Sequence, residues 1–352
     1  MNMNIPSVFL RTVFLEIHIP FISKVYNREE REVYFLKENN CPVKKTSIGG
    51  QALIEGVMMR GPRKTAMTVR NPEGELVVES WENQESNRAK FFKLPFIRGV
   101  FNFVDSMRGG YKCLMRSAEI AGLEEEDENG EKKDTSLLMN LLMIVSVVLA
   151  VVLAVGLFIA LPTFLYGLIG RWVPFFSPER RFFRALFEGV LKIVVLVGYL
   201  GLVSLMKDIR RTFMYHGAEH KTIFCYESGL ELTVENVRKE RRFHPRCGTS
   251  FLIIIVIVSI LISMLIPTVI NGWEVPTILR VAIKLLLLPL IMGIGYELIK
   301  FAGRYDNVVT RIISAPGVWL QRMTVFEPDD QMIECAISSM KLVIPEDDSD
   351  RW

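Results

Sequence analysis

Residues 251–270 read FLIIIVIVSILISMLIPTVI. Twenty successive residues carry no charge, and as a helix they rise roughly 30 Å, the thickness of a bilayer's hydrocarbon core. A stretch this long and apolar is expected to cross a membrane. Three further stretches behave alike. Leu137–Leu161 is uncharged and is followed by Pro162, which is expected to kink its end. Phe183–Met206 contains Glu188 and Lys192 at i, i+4, a spacing that lets the two charges neutralise each other on one helix face. Leu279–Ile299 contains Lys284, Pro289 and Glu297. The expected class is an α-helical integral membrane protein with about four transmembrane helices.

Composition agrees. Half of the 352 residues are apolar, yet 23% are charged, so the apolar residues are gathered into blocks. A net charge of +3 is too small to argue for nucleic acid, and no specific nucleic-acid binding is expected. The run RKERRFHPR (238–246) fits anionic lipid head groups better. Cys41, Cys113, Cys225, Cys247 and Cys335 are scattered and odd in number, which argues for reduced thiols and against a disulfide framework.

Orientation follows from Lys and Arg. The segment 207–249 holds nine of them, whereas 271–278 holds none. The positive-inside rule then places 207–249 and both termini in the cytoplasm. Arg180 and Arg181 in the opposite loop oppose this assignment mildly.

The polar segments have patterns of their own. TAMTVR and ELVVESWE flank NPEG and read as a hairpin, and SIGGQALIEGVMMRGP upstream has the glycines of irregular strands. Together they predict a small cytoplasmic β-rich subdomain. Residues 95–121 have helical apolar spacing, which suits a helix on the membrane surface or one packed on that subdomain. The chain then divides into a leader (1–43), the β-rich subdomain (44–93), an amphipathic helix and acidic linker (94–136), two spans (137–206), the middle loop (207–250), two spans (251–300) and a C-terminal tail (301–352). In the tail, SAPG (314–317) is expected to break the chain, and EPDDQMIECAISSMKLVI reads as a capped helix with an apolar stripe of Met332, Ile333, Ala336, Ile337, Met340 and Val343.

The chemistry points to the middle loop. The chain has four histidines, and two of them lie in His216-Gly-Ala-Glu219-His220. On a helix, i and i+4 share a face, so both imidazoles can converge on one divalent cation, and Glu219 beside them is the expected general base. Gly217 weakens the helix by ~1 kcal/mol, so a bent or terminal turn is also compatible. Zinc is the expected ion, and a catalytic zinc needs a third protein ligand and an open position. Glu297 is the first candidate, because a carboxylate at membrane depth needs a partner. Cys225, His244 and Cys247 are the alternatives; if they join, the site closes into a structural clasp. Glu219 paired with Lys221 or Arg211 is the non-metal alternative. Gly-Gly-Gln (49–51) matches a tripeptide of peptide release factors, but its strand-like surroundings favour a structural turn.

SIGGQALIEGVMMRGP, HGAEHK, HPRCGTSF, YELIKFAGR, PGVWLQRMT and EPDDQMIECAI, in this order over about residues 44–345, resemble the YqhQ-like bacterial membrane proteins, domain-of-unknown-function family 1385. The resemblance implies a multi-span bacterial inner-membrane protein described as a metal-dependent enzyme, without a defined substrate. Residues 1–42 have no counterpart in it, so a translation start near Val43 is expected. Three functions follow as expectations: a metal-dependent hydrolase at the cytoplasmic membrane face, a non-catalytic scaffold or assembly factor, and a transporter lined by Glu188, Lys192 and Glu297.

Overall fold

In the computed structural model of the chain, the described residues are 45–83, 92, 94–123, 136–176, 181–269, 277–305 and 307–351. The leader, most of the acidic linker and most of the 271–278 loop lie outside them. Four strands come first: β1 (Gly49–Leu53), β2 (Gly56–Arg60), β3 (Lys64–Arg70) and β4 (Leu76–Glu82). They form an antiparallel meander in the order β1-β2-β3-β4, so β1 is an edge. The expected hairpin is β3–β4, with Thr68 opposite Val78 and Gly74 at φ +87° in the turn, a conformation that favours glycine.

Alternation along the strands gives the sheet two apolar faces. Leu53, Met58, Met67 and Val69 pack with Cys113 of α1 (Ile97–Ile120). Val57, Met59 and Ala66 turn to the other side. There they meet α11 (Asp330–Val343), whose predicted stripe is wholly buried, and Tyr215 and Ala218 of α5 (Lys207–Glu227). Asp329 caps α11 by accepting from the Met332 N–H at 2.9 Å. One core thus draws on three segments far apart in sequence. Of the two readings of residues 95–121, packing on the sheet is seen on the Cys113 face, while Val104, Met107 and Tyr111 are exposed.

Among the described residues three helices are long and apolar enough to cross a membrane: Val145–Gly170, Phe182–Val203 and Gly248–Leu265. The first is built from α2 (Ser136–Val155), a π turn (Gly156–Ala160) and α3 (Leu161–Gly170). The helix therefore runs past Pro162 instead of ending there. Pro162 lacks an N–H to donate back along the helix, and a widened turn just before it absorbs that loss. Many of its side chains, such as Val148, Leu149 and Val152, are exposed apolar surface, which a water-facing helix would not carry. The second and third spans are α4 (Arg181–Val203) and α7 (Gly248–Val269), which pack side by side; Gly189 lets Ile260 approach so closely that a Cβ would lie 2.6 Å from it.

The fourth expected span is not one helix. It is α8 (Thr277–Leu286) and α9 (Leu288–Arg304), separated at Leu287, with proline in the first turn of α9. SAPG does not break the chain either. Pro316 lies inside α10 (Val308–Thr324), where Gly317 packs so closely on Ser250 that a Cβ would be 2.3 Å from its side chain. Tight packing on α7 holds α10 together across the missing N–H.

Candidate metal centre

The segment expected as a loop is mostly the 21-residue helix α5, which starts four residues after the end of α4. Short α6 (Val234–Arg238) follows, and the chain then returns to the foot of α7 at Cys247–Gly248. Gly217 sits in the middle of α5 and does not interrupt it. A Cβ there would come within 2.0 Å of the Phe326 carbonyl oxygen, so glycine lets the chain leaving α10 cross the helix. That crossing brings the last residues of α10 to the histidine face.

His216 and His220 project from that face with ring centroids 4.4 Å apart. His216 Nδ1 is 2.9 Å from the Thr324 carbonyl oxygen, and His220 Nδ1 is 2.5 Å from that of Arg242. A carbonyl only accepts, so both Nδ1 atoms carry the proton and both Nε2 atoms keep a lone pair. His216 Nε2 faces Cys247 Sγ at 3.2 Å. The ligand atoms of His216, His220 and Cys247 all lie within 4.8 Å of one another.

Electrostatics set the protonation states. Burial pushes His220 down to about 4, so it stays neutral at physiological pH. Burial alone would push the Cys247 thiol up. The electrostatic contact with the His220 imidazole and the polar contacts with Thr249 outweigh it and hold the thiol below its ordinary value. Two imidazole Nε2 atoms and a thiol inclined to ionise form a donor set suited to zinc.

Glu219 is buried beside this group, 5% exposed. Burial raises its pKa to about 7; the field of Cys247 adds to the rise, and that of His216 and a hydrogen bond from the Gly50 main chain oppose it. Among the described residues Glu219 Oε2 has no hydrogen-bond partner. It pairs with neither cation considered from the sequence: Lys221 binds Glu327 and the Arg238 carbonyl, and Arg211 binds Glu55. A buried carboxylate oxygen without a donor is costly, by about 1–3 kcal/mol or more, unless a cation or water completes it.

The other candidates lie elsewhere. Glu297, the first choice for third ligand, gives both oxygens to Arg98 of α1, at 2.7 Å (Nε) and 2.6 Å (Nη2), and is not in the His–Cys group. Cys225 is buried in the core under the sheet, its Sγ 3.5 Å from the Glu231 carbonyl. His244 is adjacent to His220 but turned toward a second cluster: its Nδ1 accepts from the Arg246 N–H, and its Nε2 lies 3.9 Å from Glu227. Burial, followed by the Arg246 charge, pushes His244 down to about 4. Glu227 and Arg246 form a buried pair that also holds the Thr46 main chain, tying the start of the sheet to α5.

Sequence reasoning missed Gly50 and the two carbonyls. A Cβ on Gly50 would fall 2.9 Å from Glu219 Cδ, so the second glycine of IGGQ is part of the centre. The motif itself was the signal: two glycines in a strand, without a turn, mark a close approach. The Thr324 and Arg242 carbonyls carry no side-chain signature and were not findable.

A largely buried His–Cys group that could hold a metal ion, beside a helix between apolar spans, defines the class, a membrane-type protein with a candidate metal centre. The chain belongs to the family described as "Protein of unknown function (DUF1385)", which matches residues 94–346. It is similar to "Uncharacterized protein YqhQ" of Bacillus subtilis (strain 168), 35% identical over 299 residues, covering 83% of this chain and 90% of the relative. No solved structure matches it.

Proposed function

We propose that the protein holds one zinc ion through His216 Nε2, His220 Nε2 and Cys247 Sγ and is a membrane hydrolase acting beside the bilayer surface. The observation that carries this reading is the convergence of three ligand atoms next to a buried carboxylate oxygen with no donor. Zinc bound there supplies Lewis acidity, polarising an acyl carbonyl and making water a better nucleophile. His216, His220 and Cys247 would hold it with three protein ligands, the number that suits a hydrolytic zinc. The chain's own residues do the rest. The Thr324 and Arg242 carbonyls hold the imidazoles in one tautomer. Glu219 takes the proton that the attacking water loses and passes it to the leaving group. The burial that raises Glu219 to about 7 suits such a proton carrier at neutral pH.

Topology belongs to the same proposal. The broken α8–α9 pair makes a fourth crossing, both termini and α5 lie in the cytoplasm of a bacterial inner membrane, and the basic residues of 207–249 meet anionic lipid heads.

Metal analysis of the full chain purified in detergent tests this. Wild type is expected to carry about one zinc per chain, and Cys247→Ser far less. A wild-type protein that is folded yet metal-free after growth in zinc would end the reading. A clasp without chemistry is the second reading, favoured by the depth of His220, which is 2% exposed. It predicts that zinc removal lowers the unfolding temperature and that Glu219→Gln changes nothing else.

A further inference from the structure

The two halves of α1 are held by different parts of the fold. Arg98 is paired with Glu297 of α9, a Cβ on Gly99 would lie 2.8 Å from Tyr296, and the Phe103 and Phe251 ring centroids are 5.5 Å apart. Phe251 lies in the first turn of α7, so this half of α1 sits at the end of a span. Further on, Cys113 packs under the sheet, and Ser117 Oγ accepts from the Ile54 N–H at 3.2 Å. α1 thus bridges the foot of the spans and the sheet.

Another face of the same helix is apolar and uncovered among the described residues. Val104, Met107, Tyr111 and Met115 recur at intervals of three, four and four residues, which puts them in one row along the helix. All four are exposed, Met107 by 54%, and the exposed Leu94 and Phe96 precede them where the helix begins. Arg108 and Lys112, both exposed, stand along one edge of the row. Exposed apolar residues scattered singly are ordinary, but a row of four with a basic edge marks a surface made to be covered.

Continuity and charge say what covers it. α1 is fixed to the end of α7, where hydrocarbon gives way to lipid head groups, so a row that starts there enters the leaflet without leaving the fold. Arg108 and Lys112 can lay their apolar stems along the same surface and hold their charges among phosphates. We propose that α1 lies in the cytoplasmic surface of the bilayer, with the Val104–Met115 row in the acyl boundary and the anionic lipid of that leaflet as its partner. The helix then sets the height of the sheet over the membrane, and with it the place of Gly50 beside Glu219. This rests on the topology proposed above and not on the metal.

The test uses the full chain in nanodiscs of mixed phosphatidylcholine and phosphatidylglycerol. Photoreactive benzoylphenylalanine is placed in turn at Met107, at Tyr111, at Ser106, which is exposed but off the row, and at Val148 on the first span. Met107 and Tyr111 are expected to give at least ~5-fold more phospholipid adduct than Ser106. The double variant Arg108→Glu, Lys112→Glu is expected to lower the phosphatidylglycerol share of the Met107 adducts ~2-fold or more. Lipid adducts at Val148 with none above the Ser106 level at Met107 and Tyr111, or adducts at Met107 to a second protein chain in place of lipid, overturn the proposal while the spans stand. An unchanged phosphatidylglycerol share overturns the anionic partner. No lipid adduct at Val148 overturns the topology and this inference together.

Discussion

Glu297 and Glu219 are both carboxylates in partly apolar surroundings, but they end in opposite states. Glu297 gives each oxygen to a guanidinium nitrogen of Arg98, in the fork geometry that arginine and carboxylate share. Glu219 lies against the main chain at Gly50, and among the described residues its Oε2 has no hydrogen-bond partner. An ionisable residue near membrane depth is therefore not a site by virtue of its position. Its inventory of partners decides: a completed carboxylate is a strut between α1 and α9, and an incomplete one beside three ligand atoms calls for something further.

The largest expected effect breaks this comparison directly. His220→Ala should abolish zinc retention in the purified full chain, whereas Glu297→Gln should leave about one zinc per chain; zinc loss in the second variant would return Glu297 to the ligand set. Next, Glu219→Gln should keep zinc within about tenfold of wild-type affinity and lower hydrolysis of a peptide amide ~100-fold or more. Wild-type turnover in that variant would leave Glu219 a packing residue.

Glycine substitutions give a smaller effect. Gly217→Ala forces a methyl group onto the Phe326 carbonyl and should cost about 1–3 kcal/mol in unfolding free energy. Gly198→Ala in α4 meets nothing within 4 Å among the described residues and should be neutral or slightly stabilising. Equal losses in the two would show that the crossing of α5 is not tight.

The smallest effect is in pH. His220 and His244 are held at about 4, below their ordinary 6.5, so the unfolded chain takes up protons first as pH falls. Their stabilisation is complete above about 6.5 and is lost toward 4. Glu219, raised to about 7 from 4.5, acts oppositely: its contribution is complete below 4.5 and is lost as pH rises through 7. Two histidines outweigh one glutamate between these limits. Below 4.5, Glu227, held at about 2 by His244 and Arg246 against the effect of burial, adds a further acid loss. The unfolding temperature of the metal-free chain should peak near pH 6.5 and fall steeply toward 4. Glu219→Gln should remove the slight decline on the alkaline side. A flat profile from 4 to 6.5 would mean that the histidines are not buried neutral.

Much of the architecture was readable in order. The uncharged run at 251–270, the NPEG hairpin and the stripe of α11 are each local patterns, and local patterns survive folding. What failed was local punctuation. Pro162 read as a kink, Pro316 as part of a break and Gly217 as a weakening of its helix, and all three lie within or at the start of continuous helical segments, where a π turn, α7 and the Phe326 crossing accompany them.

At the centre, the sequence alone determined the two histidines, because i, i+4 spacing on a helix sets their shared face whatever surrounds it. It also named Cys247, though as one of three alternatives. Only tertiary structure chose among them, since Cys225 and Glu297 are equally capable ligands by type and differ only in what they face. Burial in the core takes Cys225, Arg98 takes Glu297, and the return of the chain to the foot of α7 delivers Cys247 to the histidines. The carbonyls that fix the imidazole tautomers, and the close approach of Gly50 to Glu219, are main-chain features. They have no letter in the sequence, and only the packing of distant segments put them in place.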